Sequence, residues 1–205
     1  NCQVPGRPLR RASEASSQPL GIDSGREGSE VRTNLYWDGD GIFNVNADHS
    51  YVQAPADATG WSDWHHITVP GAFPGYWSRD AVQEVNSIAR TPGVVNKWLT
   101  SWEEQAPQLL APAIGLNAVD WEVLYGLEED DPMNWHWWKL DKLRKDLDRD
   151  RPDRFIWFDD DITSDPAALK WLKATGLPHL VIVPKIDHGL TRAHLDAVRE
   201  FLDQQ

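Results

Sequence analysis

Short apolar runs that alternate with amphipathic stretches constrain this chain more than any other feature. LYW at 35–37, FIWF at 155–158 and LVIVP at 180–184 are continuous rather than alternating in hydropathy. Strands buried on both faces read this way, and such strands belong to parallel sheets. Between them lie helical periodicities. In SRDAVQEVNSIAR, Ala81, Val82, Val85, Ile88 and Ala89 recur at helical spacing, Ser78 is placed to cap the start, and TPG at 91–93 stops it. VVNKWLTS at 94–101 reads as the next strand, with Asn96 and Lys97 unusual at its centre, and a helix through QLLAPAIGL leads to a weak strand or turn in WEVLYG at 121–126. HWWKLDKLRKDL carries Trp137, Leu140, Leu143 and Leu147 on one stripe, and SDPAALKWLKATG has a Ser or Asp cap, an early proline and a final glycine. TRAHLDAVREFL supplies a last helix. The expected fold is α/β: a Rossmann-like three-layer α/β/α sandwich around a mainly parallel sheet.

The chain has 205 residues and 12 tryptophans, enough apolar material for one domain with a real core, expected over 31–205. Residues 1–30 lack large apolar side chains and any periodicity, and are expected to be disordered or a non-native N-terminal extension. GREGSEV at 25–31 is compatible with purine-rich codons before a valine start, which would make Val31 the first residue. A net charge of −12 disfavours a partner bound mainly through phosphate backbones. A single cysteine, Cys2, rules out an internal disulfide framework. No apolar run reaches the roughly 18 residues of a membrane span. A cytoplasmic protein without a membrane partner is expected.

Two of the apolar runs end in acids. LYWDGDG places Asp38 and Asp40 behind the first, and FIWFDDD places Asp159, Asp160 and Asp161 behind another. Taken alone, WDGDG is compatible with a solvated Asp/Gly turn. Two acidic tips change the reading, because in a parallel sheet all carboxyl ends lie on one side, where open α/β sheets bind their ligands. Like charges facing one another there require a cation, and carboxylate and carbonyl oxygens suit hard Mg²⁺ rather than zinc. His65 and His66 are adjacent, face opposite sides of a strand, and read as hairpin residues. Asp161 and Asp165 read as a loop acid and a helix cap.

The ordered set Asp38-x-Asp40, Thr100, Lys139, Asp159-Asp160 resembles the haloacid dehalogenase (HAD) superfamily. WDGDGIFN resembles its first motif, WLTSW the second, the lysine of WWKL the third and WFDDD the fourth. The likeness spans about Leu35 to Leu202 and is strongest to small bacterial HAD-type domains, some found in nucleic-acid repair contexts. Asn96, Lys97 and Pro107 depart from the pattern.

The resemblance implies an Mg²⁺-dependent phosphoric monoester hydrolase with a small cap or none, a flap or insert at about 45–93, and a small phosphorylated molecule as substrate. It assigns Asp38 as nucleophile, Asp40 as general acid and base, and Thr100 and Lys139 as phosphoryl-binding groups. Asp38, Asp159, Asp160 and the backbone carbonyl of Asp40 are the implied metal ligands. Taken singly, Thr100 reads as a strand-end cap and Lys139 as a solvated helix residue; the order carries the inference. A phospho-receiver domain is disfavoured, because there the lysine comes last and here Lys139 precedes Asp159. A nucleic-acid end phosphatase and a catalytically silent phosphate- or metal-binding module on the same fold stay open, as does the oligomeric state. Asp63, Trp61, Trp64, His65 and Trp77 are candidates for a lid, and most tryptophans are expected in the core.

Overall fold

A computed structural model describes residues 30–45, 57–70, 74–126 and 137–204. The elements are β1 (Thr33–Trp37), β2 (Trp64–Ile67), β3 (Gly75–Ser78), α1 (Arg79–Ile88), β4 (Val94–Trp98), α2 (Ala111–Ile114), β5 (Glu122–Val123), α3 (Trp138–Asp150), β6 (Arg154–Phe158), α4 (Pro166–Ala174), β7 (His179–Ile182) and α5 (Arg192–Asp203). The expected disorder over residues 1–30 falls, apart from Glu30, outside the described residues, as do residues 25–29 of the valine start context and parts of the insert at 46–56 and 71–73. No helix among the described residues is long and apolar enough to cross a membrane.

Five strands form one sheet in the order β5-β4-β1-β6-β7, every neighbouring pair parallel. The α/β architecture read from the apolar runs is present, and it is of the Rossmann-like kind. Side chains alternate across the sheet and build two cores. Leu35, Trp37, Trp98, Ile156 and Phe158 pack with α1, α2 and α5, while Tyr36, Phe155 and Trp157 pack with α3 and α4. Trp37 and Phe158, paired in register, stack with ring centroids 3.6 Å apart. Trp37, Trp98 and Trp157 are fully buried. Tryptophan here is core material first, each ring removing on the order of 200 Å² from water.

The helix signals translate into caps. Ser78 accepts from Ala81 N at the start of α1, Asp165 from Ala167 N at α4, and Thr191 forms a capping box with His194 at α5. Buried Arg154 donates to the carbonyls of Phe201, Leu202 and Gln204 and so closes the other end of α5. Pro107 sits at the start of a π-helical turn, Ala106–Leu110, where a missing N–H costs little.

The two polar residues of β4 are both accommodated. Asn96 accepts from the Trp37 indole at 3.0 Å and donates to Ala89 O at 3.1 Å. Lys97 is buried at 1% exposure, yet its ammonium meets Asp146 at 2.8 Å, Glu122 at 2.9 Å and also Asp150. Asp146 and Asp150 lie one turn apart on α3, so one helical face presents both carboxylates to one strand residue. Tyr36 adds its hydroxyl to Asp146 at 2.7 Å. This closed network is what allows a lysine in a central strand.

β2 and β3 form an antiparallel hairpin beside the sheet. It is joined to the loop after β1 by reciprocal backbone hydrogen bonds between Val45 and Tyr76, 2.8 and 2.9 Å. The lid candidates have structural duties instead. Trp61 is 2% exposed and donates its indole N–H to Leu190 O. Asp63 accepts from Ser78 Oγ at 2.6 Å and from Asp80 N at 2.8 Å, anchoring the start of α1. Trp64, His65 and Trp77 are hairpin residues, with His65 and Trp77 paired across it and His65 tilted against the Trp77 ring.

Candidate active site

Chain order determines where a site can form. From β1 the chain moves outward to β4 and β5 with α1 on one face; α3 then carries it back across the other face to β6 and outward to β7. The direction reverses between β1 and β6, and it is beyond the carboxyl ends at such a reversal that open α/β sheets bind their ligands. Asp38 is the first residue past β1 and Asp159 the first past β6. Their backbones remain in the sheet pattern, since Asp38 N donates to Phe158 O at 3.0 Å and Asp159 N to Ile182 O at 3.1 Å.

Lys139 joins them. It lies in the first turn of α3, whose N-terminus points at the carboxyl ends of the strands, and it is 6% exposed rather than solvated. Its ammonium donates to Asp38 Oδ2 at 2.5 Å and to Asp159 Oδ2 at 2.7 Å. The Trp137 ring lies beneath it, 5.7 Å from Nζ. Thr100, fully buried two residues past β4, lies beside the Asp38 carboxylate and lowers its proton affinity, and Gly39 N donates to Asp38 Oδ1 at 2.7 Å. Asp161 N donates to Asp159 Oδ1 at 2.9 Å.

Asp160 completes an acidic group: Asp38, Asp159 and Asp160 each bring a carboxylate oxygen within 4.8 Å of the other two. Gly41 makes room for it. At φ +65°, a Cβ on Gly41 would stand 2.4 Å from Asp160 Cγ, so only glycine suits both the turn and the neighbour. Asp40 stands apart. Its Oδ1 accepts from Asn44 Nδ2 and its Oδ2 from Trp102 Nε1, both at 2.8 Å.

Three buried or half-buried carboxylates share one ammonium, and burial first, with mutual repulsion second for Asp159 and Asp160, raises their proton affinities. Burial pushes Asp159 up to about 7, the Asp38 charge adding to it and Lys139 opposing. Burial, then Asp38 and Asp161, raise Asp160 to about 6. Asp38 is also raised by burial, against Lys139 and Thr100. Lys139 is held protonated by Asp38 and Asp159 despite its own burial. Hard oxygen donors that converge with too little countercharge fit a divalent cation such as Mg²⁺. The other acidic group, Glu122, Asp146 and Asp150, differs, because Lys97 and Arg149 already neutralise it. Neither group contains a histidine.

The structure therefore brings Asp38, Thr100, Lys139, Asp159 and Asp160 together, with the Asp40 side chain turned toward Trp102 and Asn44. These last two were not picked out from sequence. The signal was present in WLTSW, since a buried indole N–H needs an acceptor. In comparisons with protein families, curated proteins and solved structures, none matches this chain.

Proposed function

We propose that this chain is an Mg²⁺-dependent phosphohydrolase of the HAD type, acting on small phosphorylated molecules in a reducing cytoplasm through a phosphoryl group carried on Asp38. One observation carries the reading: Asp38 and Asp159, at the carboxyl ends of adjacent strands at the sheet's switch point, are bridged by the buried Lys139 ammonium.

A carboxylate is a weak nucleophile unless it is fixed in place and the charge it meets is neutralised. Gly39 N, Thr100 and Lys139 fix Asp38. An Asp38 oxygen attacks phosphorus, the bond from phosphorus to the ester oxygen breaks, and that oxygen takes a proton from Asp40. Water then attacks the phosphorus of the acyl phosphate while Asp40 accepts its proton. Inorganic phosphate leaves, and the Asp38 carboxylate is restored. Thr100 donates a hydrogen bond, and Lys139 a charge, to the phosphoryl oxygens as they pass through the transition state. Asp38, Asp159, Asp160 and the Asp40 carbonyl would hold Mg²⁺, which when bound supplies Lewis-acid neutralisation of the phosphoryl group.

The test is phosphate release from an aryl phosphate, sugar phosphates, nucleotides and 3′- or 5′-phosphorylated oligonucleotides, each with Mg²⁺ and with chelator. Turnover of small phosphate esters that needs Mg²⁺ is expected. Undiminished turnover in chelator with metal verified absent would remove the metal assignment, and preference for oligonucleotide ends would replace the substrate class.

A further inference from the structure

One short segment serves both aspartates of WDGD. From the turn after β4, Thr100 reaches Asp38 and Trp102, two residues on, reaches Asp40. Trp102 is 8% exposed, and both its backbone and its ring are held in place. Its backbone N–H donates to Thr100 Oγ1 at 3.3 Å, and its ring lies so close to Gly39 that a Cβ there would be 3.1 Å from Cδ1. Asn44, on the other side of Asp40, is 1% exposed and tightly packed, since a Cβ on Gly75 would stand 2.1 Å from its Oδ1. Two neutral donors with little freedom thus grip both oxygens of one carboxylate.

We propose that Trp102 is a positioning residue: its indole N–H, together with the Asn44 amide, orients the Asp40 carboxylate for proton transfer. This rests on the phosphohydrolase reading. Each carboxylate oxygen has two lone pairs, so an oxygen that accepts from Trp102 or Asn44 keeps a second position for the leaving oxygen or the attacking water. A phenylalanine would keep a smaller aromatic ring beside Gly39. What it lacks is the donor, and loss of the donor frees Asp40 to rotate.

Two measurements separate the contact from its role. In protein labelled with ¹⁵N-tryptophan, the Trp102 indole resonance, identified by its loss in Trp102→Phe, is expected to shift and to exchange faster in Asp40→Ala. An unchanged resonance overturns the contact without reference to activity. In steady-state assays, Trp102→Phe is expected to lower kcat/KM about tenfold on an alkyl phosphate, whose leaving oxygen needs a proton. On an aryl phosphate with a good leaving group, the same variant should stay within about twofold of wild type. Equal losses on both esters, or no loss, overturn the positioning role and leave the phosphohydrolase standing. A wild-type protein inactive on both esters overturns the phosphohydrolase reading itself.

Discussion

Lys139 donates to Asp159 at 2.7 Å in a place where the lysine side chain is 8% and the aspartate side chain 0% exposed. Removing one member of a buried ion pair costs about 3–5 kcal/mol, because the partner's charge is left uncompensated. Lys139→Ala is therefore expected to lower the unfolding midpoint in chelator by on the order of 10 °C. Mg²⁺ should restore part of the stability but not the turnover, which is expected to stay down at least about a hundredfold. An unchanged midpoint would show that the pair is solvated.

The raised acids give a pH dependence with a definite sign. A carboxyl whose folded pKa lies above its ordinary value contributes stability at low pH that is lost as pH rises through the folded pKa. With Asp160 at about 6 and Asp159 at about 7, the metal-free protein should lose stability between about pH 4 and pH 7. Asp150 acts in a different window. Partial burial works against it, but Lys97 and Arg149 hold it down to about 2, so its contribution disappears only below about pH 4. In melting curves at pH 5 and pH 8 with chelator, Asp159→Asn is expected to narrow the difference between the two midpoints. A difference as large as that of wild type would contradict the charge deficit.

Lys97 supplies a control outside the acidic site. Lys97→Met leaves Glu122, Asp146 and Asp150 with the half-exposed Arg149 as their remaining shared cation and removes the buried one, at an expected cost of up to about 3–5 kcal/mol in urea unfolding. Tyr36→Phe removes one hydrogen bond to Asp146 and should cost about 1.5–3 kcal/mol. Turnover per folded molecule should be unchanged in both variants, and a selective loss of activity would mean that the network reaches the site.

Gly41→Ala joins a left-handed backbone, unfavourable for alanine by about 1–2 kcal/mol, to a collision with Asp160. The acid must move, and calorimetric Mg²⁺ affinity is expected to fall about tenfold. Unaltered affinity would exclude Asp160 from the cation's ligands.

How much of this could be read from the chain follows from how local each signal is. Continuous apolar runs and capping residues are encoded within a few positions, so the parallel sheet and the caps Ser78 and Asp165 were legible, whereas the Thr191 capping box was not picked out. The acidic tips were legible as well, because strand ends in a parallel sheet share a side. Lys97 was not, since its partners on α3 are 49 and 53 residues away and nothing in VVNKW points to them. An acidic pair at i, i+4 on a helix together with a lysine inside a strand is the pattern that could have revealed it. Trp61 and Asp63 were misread as lid candidates for the related reason that an aromatic next to a polar residue looks alike whether it faces a ligand or, as here, Leu190 O and the start of α1. Trp102 was hidden by its own hydrophobicity, which assigned it to the core and obscured its one polar atom.

The division of labour between Asp38 and Asp40 is the central claim, and trapping the phosphoryl group tests it most directly. Asp38→Asn and Asp40→Asn proteins would be mixed with an activated aryl phosphate and Mg²⁺, quenched in acid on the millisecond scale, and weighed intact. The Asp40→Asn protein is expected to gain one phosphoryl group and to lose it slowly, because formation from a good leaving group needs little protonation while hydrolysis lacks its base. The Asp38→Asn protein should gain none. A phosphoryl group on the Asp38→Asn protein, or full turnover in both variants, would contradict the account.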